Sequence, residues 1–173
     1  NRKDIRNAVE AARKAEGWSG MTGHARAQVL YFLAENLEIR AAEFARRVAQ
    51  ASGVSAAKAA REVEASVARI IHYAAWADKY DGAARAPGSR TLAIVLNEPW
   101  EVMAISCPDE APLLGFVSAV APAIAMGNRV VVTPSPRQPL PALDLYQVLD
   151  TSDVPGGVVN IVTGDRDALA SVL

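Results

Sequence analysis

Cysteine is almost absent from this chain: Cys107 is the only one in 173 residues. That excludes an intrachain disulfide and any multi-cysteine metal site, and it fits a reducing compartment. Histidine is nearly as scarce. His24 and His72 lie far apart on helical stretches, with no cysteine or carboxylate spacing that makes a metal set, so both read as surface or helix-packing residues and no metal is expected. An excess of one charge is missing too, since 18 basic residues against 19 acidic ones leave a net charge of −1. No net field therefore favours nucleic acid or an anionic membrane. Arg46, Arg47, Arg61 and Arg69 are too sparse for a nucleic-acid stripe and read as solvated helix faces. The most apolar stretch, Ala111–Met126, contains Pro112 and Pro122 and falls short of the roughly 20 residues a bilayer span needs. No apolar signal region opens the chain, because Asn1–Arg13 is charged and helical in pattern. Absent as well is any G-x-G-x-x-G, the common dinucleotide fingerprint. The chain begins without methionine and ends in the helix-like DRDALASVL, so it reads as a piece of something longer.

What is present is the composition of an ordinary soluble globular protein, 51% hydrophobic and 21% charged, with enough length for about one domain and a substantial core. The first half, to about Asp81, is helical in pattern. Asp4–Glu16 carries Ile5, Ala8, Val9, Ala12 and Ala15 as a one-sided stripe. Met21–Gly23 punctuates, with Thr22 able to cap the next helix. From there to Ala51 one apolar face runs through Val29, Leu30, Leu33, Leu37, Phe44 and Val48, with a break near Ile39–Ala41. Ser52–Gly53 closes it. Ser55 opens a third helix, Ala56 to about Lys79, with Val63, Val67, Ile70, Ile71 and Ala74 on its inner side.

Gly82–Ser89, with Pro87–Gly88, is a linker by composition. The apolar pattern then changes to a period of two or to β-branched runs, at Thr91–Leu96, Val102–Ser106, Arg129–Thr133 and Val158–Thr163. Helical segments Pro112–Met126 and Pro139–Leu149 separate the last three. Strands alternating with helices of this length predict βαβ crossovers and a parallel sheet. The expected fold is therefore α/β: an N-terminal helical layer (1–81), a linker and flap strand (82–100), then half of a doubly wound, Rossmann-like sheet (101–173), all within one incomplete domain. Glu101–Ser135 is its centre, the strand–turn–helix–strand–turn unit that lays a nucleotide across the end of a parallel sheet.

Single residues invite sharper readings. Cys107, at a strand end, could be a nucleophile, but no cationic or helix-terminal partner that would lower its pKa is evident, and a packed small residue is the plainer reading. Asp109–Glu110 could form an acid pair or a metal site; two carboxylates before Pro112 also suit a helix start, where the macrodipole favours negative charge. Trp18, Trp76 and Trp100 read as anchors between the helical layer and the sheet. Gly127 precedes Asn128 as a helix C-cap requires. Gly164, at the carboxyl end of a strand, is where a nucleotide can approach the backbone.

The pieces AARKAEGW, HARAQVLYFLAENLEIRAAEFARRVAQASG, EPWEVMAISCPDEAPLLGFVSAVAPAIAMGNRVVVTPS and VPGGVVNIVTG, in that order and spacing, resemble the N-terminal part of the aldehyde dehydrogenase superfamily over nearly the whole chain. The third falls without gaps on the family stretch TPWNFP, then PALAAGN, then a strand ending KPSE. The resemblance implies a cofactor groove at Ser106, Cys107, Pro108, Thr133, Ser135 and Gly164. It also implies NAD or NADP in the parent protein, a homodimer, the rest of an aldehyde dehydrogenase chain as partner, and a cytoplasmic location.

Position by position, the chain departs from that pattern. The family asparagine of TPWN donates its amide to the oxyanion; Glu110 stands there, and an ionised carboxylate accepts hydrogen bonds and repels an oxyanion. The lysine and glutamate of KPSE, which hold the adenosine ribose, are Thr133 and Pro136. Proline offers no side-chain hydrogen bond and threonine cannot reach as lysine does. The resemblance places the family's catalytic cysteine, general base and second Gly-rich turn beyond Leu173. These departures look most like the C-terminal module of the two-module, family-16 aldehyde dehydrogenases, which keeps the fold with a degenerate site. Two expectations follow. One is a non-catalytic module serving packing, dimerisation or substrate enclosure in a larger enzyme. The other is the cofactor-binding part of a working NAD(P)-dependent enzyme that oxidises aldehydes to carboxylic acids, with Glu110 and Ser135 the residues to test.

Overall fold

The computed structural model describes residues 1–80 and 82–170. The boundary expected at 81 and the tail at 171–173 lie outside the described residues. Five helices come first: α1 (Arg2–Lys14), α2 (Gly17–Gly20), α3 (Gly23–Ile39), α4 (Ala41–Ser52) and α5 (Ala56–Ala77). Their ends are set by local chemistry. The Asn1 side chain accepts from the Lys3 and Asp4 amides while Asp4 accepts from the Asn1 amine, a reciprocal cap. Thr22 and Ser55 cap α3 and α5 by accepting from the Ala25 and Lys58 amides. Gly53 ends α4 in the left-handed region at φ 66°. The break expected near Ile39–Ala41 falls at Arg40, between α3 and α4. The short α2 was not foreseen, since one turn is too brief to show a period.

The sheet follows. Strands β3 (Val102–Ser106), β4 (Arg129–Thr133) and β5 (Val159–Ile161) pair in parallel in the order β3-β4-β5. Helix α6 (Pro112–Ala125) joins β3 to β4, and α7 (Leu140–Asp150) joins β4 to β5. Every residue of β4 is buried, which explains its continuous valine run: a strand covered on both faces has no polar side to alternate with. Val131 packs with Ile5 and Ala12 of α1, whereas Val130 and Val132 join the large core that includes Phe116, Ile124 and Leu145. One face of the sheet is thus closed by the first helix of the chain and the other by the crossover helices. Helix α5 lies behind them, packed on α3, α4 and α6.

Between the layers, polar side chains tie the α6–β4 turn. The buried Trp18 indole donates to the Ile124 carbonyl at 2.9 Å. The Asn128 side chain accepts from the Trp100 amide at 2.6 Å and donates to the Ala123 carbonyl. Buried Arg129 reaches the Ala12 carbonyl and the Ser19 hydroxyl.

Four expectations are corrected here. Gly82–Ser89 is not a linker: β1 (Gly82–Gly88) pairs antiparallel with β2 (Thr91–Leu96), from Gly82 opposite Leu96 to Gly88 opposite Thr91. Its Gly and Pro residues are accommodated by a register shift between Arg85 and Gly88, the irregularity that proline favours in a strand. Trp18 is an anchor, but Trp76 and Trp100 are 47% and 87% exposed and are not. Ile71 is likewise exposed, because the α5 stripe turns away from it toward Ile70 and Ala74. The Asp109–Glu110 pair does not cap α6, as the site shows. Among the described residues no helix is long and apolar enough to cross a membrane.

Candidate functional site

The three parallel strands end side by side, and the segments that follow them meet above β4. Open α/β sheets take ligands at this carboxyl edge. Ser106 ends β3 and is exposed. Cys107 continues the ladder, its amide donating to the Thr133 carbonyl at 2.9 Å, and its side chain is buried. Burial pushes its thiol up to about 11, with nearby Arg166 pulling weakly the other way. A nucleophile needs the opposite shift, so the structure favours the packed reading of Cys107. Exposed Pro108 packs close to α6: a Cβ at Gly115 would come 2.7 Å from its Cγ.

Asp109 is the centre of a network. Its Oδ1 accepts from the Ser135 hydroxyl at 2.7 Å and from Arg166 Nη2 at 3.3 Å, and Arg137 stands 3.9 Å from Oδ2. Arg166 also donates to the Cys107 carbonyl at 2.7 Å. Ser135 is buried and accepts from the Gln138 amide, which turns the chain after β4. Thr133 is buried at the end of β4. Gly164, exposed, follows β5 and lines a cleft of about 230 Å³ with Pro134, Ser135, Pro136, Pro139, Thr163 and Asp165. The structure therefore brings Cys107, Thr133, Ser135 and Gly164 to one edge, with Asp109 and Arg166 between them. Glu110 is exposed, and its side chain makes no hydrogen bond or ion pair among the described residues.

The helix start next to Glu110 is held from elsewhere. Ala111 sits in the left-handed region at φ 47° and offers no cap. Instead Glu62 of α5, buried at 9% exposure, accepts from the Leu113 amide at 2.9 Å and the Leu114 amide at 3.3 Å. Two orphan donors and the positive end of α6 are thus satisfied by a carboxylate from another helix. The sequence reading missed Glu62 and Arg166. Glu62 had a signal: it is a charged residue on the inner stripe of α5, between Ala59 and Val63. Arg166 had none, since its partners lie on distant segments. Among the described residues no group of His, Cys, Asp and Glu could hold a metal ion.

A parallel sheet covered on both faces by helices, its strand-end segments converging on one edge, defines one half of a doubly wound α/β protein. The sequence profile of the aldehyde dehydrogenase family matches residues 1–173, and the chain belongs to that family. An aldehyde dehydrogenase of Aspergillus niger is 35% identical over 164 residues, covering 94% of this chain and 33% of its own length. The NAD-dependent aldehyde dehydrogenase of Sinorhizobium meliloti superimposes with a TM-score of 0.94 at 30% identity, over 100% of this chain and 35% of its own. The betaine aldehyde dehydrogenase of Staphylococcus aureus, solved with NAD+, superimposes with a TM-score of 0.93 over 99% of this chain and 36% of its own; at 24% identity it speaks for the fold alone. The chain thus spans about a third of the length of the relatives it matches.

Proposed function

We propose that this chain is a non-catalytic module of a larger aldehyde dehydrogenase, similar to the degenerate C-terminal module of the family-16 type, and that it serves packing and assembly. The observation that carries this reading is Glu110. By the resemblance it holds the position of the oxyanion amide; it is exposed and, among the described residues, has no partner that would orient it as a donor. Losing one oxyanion donor costs roughly 3 kcal/mol of transition-state stabilisation, and a carboxylate adds repulsion.

The cofactor side agrees. NAD(P), when bound, takes up the hydride in aldehyde oxidation. The residues at the carboxyl edge fit it poorly: Thr133 is buried and Pro136 has no polar side-chain atom, so neither supplies a ribose contact. The division into 1–81, 82–100 and 101–173 belongs to the same reading, as do a cytoplasmic location and a homodimer built through the flap strand.

A second reading has one observation in its favour. The Sinorhizobium meliloti relative is named NAD-dependent and matches the whole of this chain. On that reading the chain is the cofactor-binding part of an active enzyme, and Ser135 and Glu110 are its residues to test. Calorimetric titration of NAD into the protein separates the two. We expect no saturable heat into the millimolar range; saturable micromolar binding at this edge overturns the non-catalytic reading.

A further inference from the structure

We propose that Arg166 is a strap that closes the carboxyl edge of the sheet, so that the nucleotide crevice of this chain is blocked by one of its own side chains. The inference rests on the non-catalytic reading and gives it a physical cause. It begins with the strand order. Arg166 opens α8 (Arg166–Ala170), on the segment that follows β5, whereas Cys107 and Asp109 follow β3. Strand β4 lies between them, so β3 and β5 are roughly 9.5 Å apart at the spacing of paired strands. Arg166 donates to the Cys107 carbonyl at 2.7 Å and to Asp109 at 3.3 Å, so the segment after β5, with this side chain at its tip, spans the end of β4. That is the place where an open α/β sheet receives its ligand.

Three further observations agree. Ser135, which follows β4, donates to the same Asp109 oxygen, so all three strand-end segments are tied at one carboxylate. The space left beside the network is about 230 Å³ and is lined by segments after β4 and β5 only. Finally, Arg166 Nε is buried with no hydrogen-bond partner among the described residues. A guanidinium with a buried, unpaired donor is held in place by its other contacts rather than by optimal solvation of its own.

The other clefts carry less. One, about 640 Å³ between α1, α7 and the side of β5 away from β4, is a sheet edge unpaired among the described residues. The 520 Å³ cleft at the opposite end of the sheet holds Arg13, Glu16, Glu98, Glu101 and Arg129 in mixed charge and favours no one ligand.

The test uses the protein with Arg166→Gly, which removes the strap, and Asp109→Ala, which removes its anchor and leaves the arginine free to swing out. Adenosine 5′-monophosphate and NAD are titrated by calorimetry into each, with circular dichroism to confirm that the fold survives. We expect the wild type to show no saturable binding and at least one variant to gain about tenfold or more in affinity. Folded variants that bind no better than a non-binding wild type overturn the strap and leave the non-catalytic reading standing. Micromolar binding by the wild type overturns both, because the crevice is then open as it stands. Should Arg166→Gly fail to fold, Arg166→Lys retains the charge and helix start while shortening the reach to Cys107. No gain from either it or Asp109→Ala is then the overturning result.

Discussion

Glu62 shows how much one side chain carries when it replaces a local cap. Two amides at the start of α6 are bonded to its carboxylate, at 2.9 and 3.3 Å, in a nearly closed environment. Glu62→Ala leaves both without a partner and is expected to cost about 2 kcal/mol in urea unfolding, whereas Glu62→Gln keeps an acceptor and costs less. Equal losses would mean that the carboxylate is not the cap. Cys107 gives a second prediction. Burial pushes its folded thiol up to about 11, from an ordinary value of 9.0. The unfolded state therefore loses its proton first, and this residue's contribution to stability, full below pH 9, falls as pH rises toward 11. At pH 8 a thiol reagent should label Cys107 only after denaturant is added; rapid labelling of the native protein would contradict the burial. Legibility at this scale depended on period. Glu62 broke the apolar stripe of α5 and could have been noticed, while Ala111 and Glu101, at φ 47° and 72°, gave no warning because neither residue type favours a left-handed backbone.

Between elements, charge does work that sequence spacing only half reveals. Glu43 and Arg47 stand four apart on α4 and make a pair legible as a helix-surface contact. Arg47 also pairs with Asp144 of α7 at 2.7 Å, and Arg40 holds Glu43 through two bonds of 2.9 Å. Arg47 thus joins α4 to α7, whereas Arg46, Arg61 and Arg69 lie exposed as expected. Hydrogen bonds from Arg40, then from Arg47, lower Glu43 to about 2 from the ordinary carboxyl value of 4.5, against a desolvation that works the other way. A depressed carboxylate stabilises the fold above its unfolded value, and that contribution is lost as pH falls from about 4.5 toward 2. Glu43→Gln should flatten the decline in stability between pH 5 and pH 2.5 in urea titrations. An unchanged decline would remove Glu43 from the acid limb. The strands Thr91–Leu96, Val102–Ser106 and Arg129–Thr133 were legible to the residue, since β-branched runs bounded by turns leave little freedom. β1 was not, because its partner, rather than its own composition, makes it a strand.

For the molecule as a whole, the α/β layering was readable from the order of periods, and the exposed flap strand only through the resemblance. A sequence shows which residues are apolar but not which of them the chain leaves uncovered. The β1–β2 hairpin is exposed on both faces, with Leu92, Ile94 and Leu96 at 68%, 66% and 70% exposure. Such an edge invites pairing with another chain. If the proposed homodimer forms through it, Leu92→Lys with Ile94→Lys should shift the protein from dimer to monomer in sedimentation velocity without loss of helical signal. A wild type that sediments as a monomer at micromolar concentration would overturn that assembly.

The hairpin also bears on how the protein is made. It leaves the ribosome after α5 and before β3, the first of the three parallel strands among the described residues. The hairpin finds no cover among the helices ahead of it. While translation continues, it is the segment that a holding chaperone would grip, and the one through which two nascent chains on a polysome would stick together.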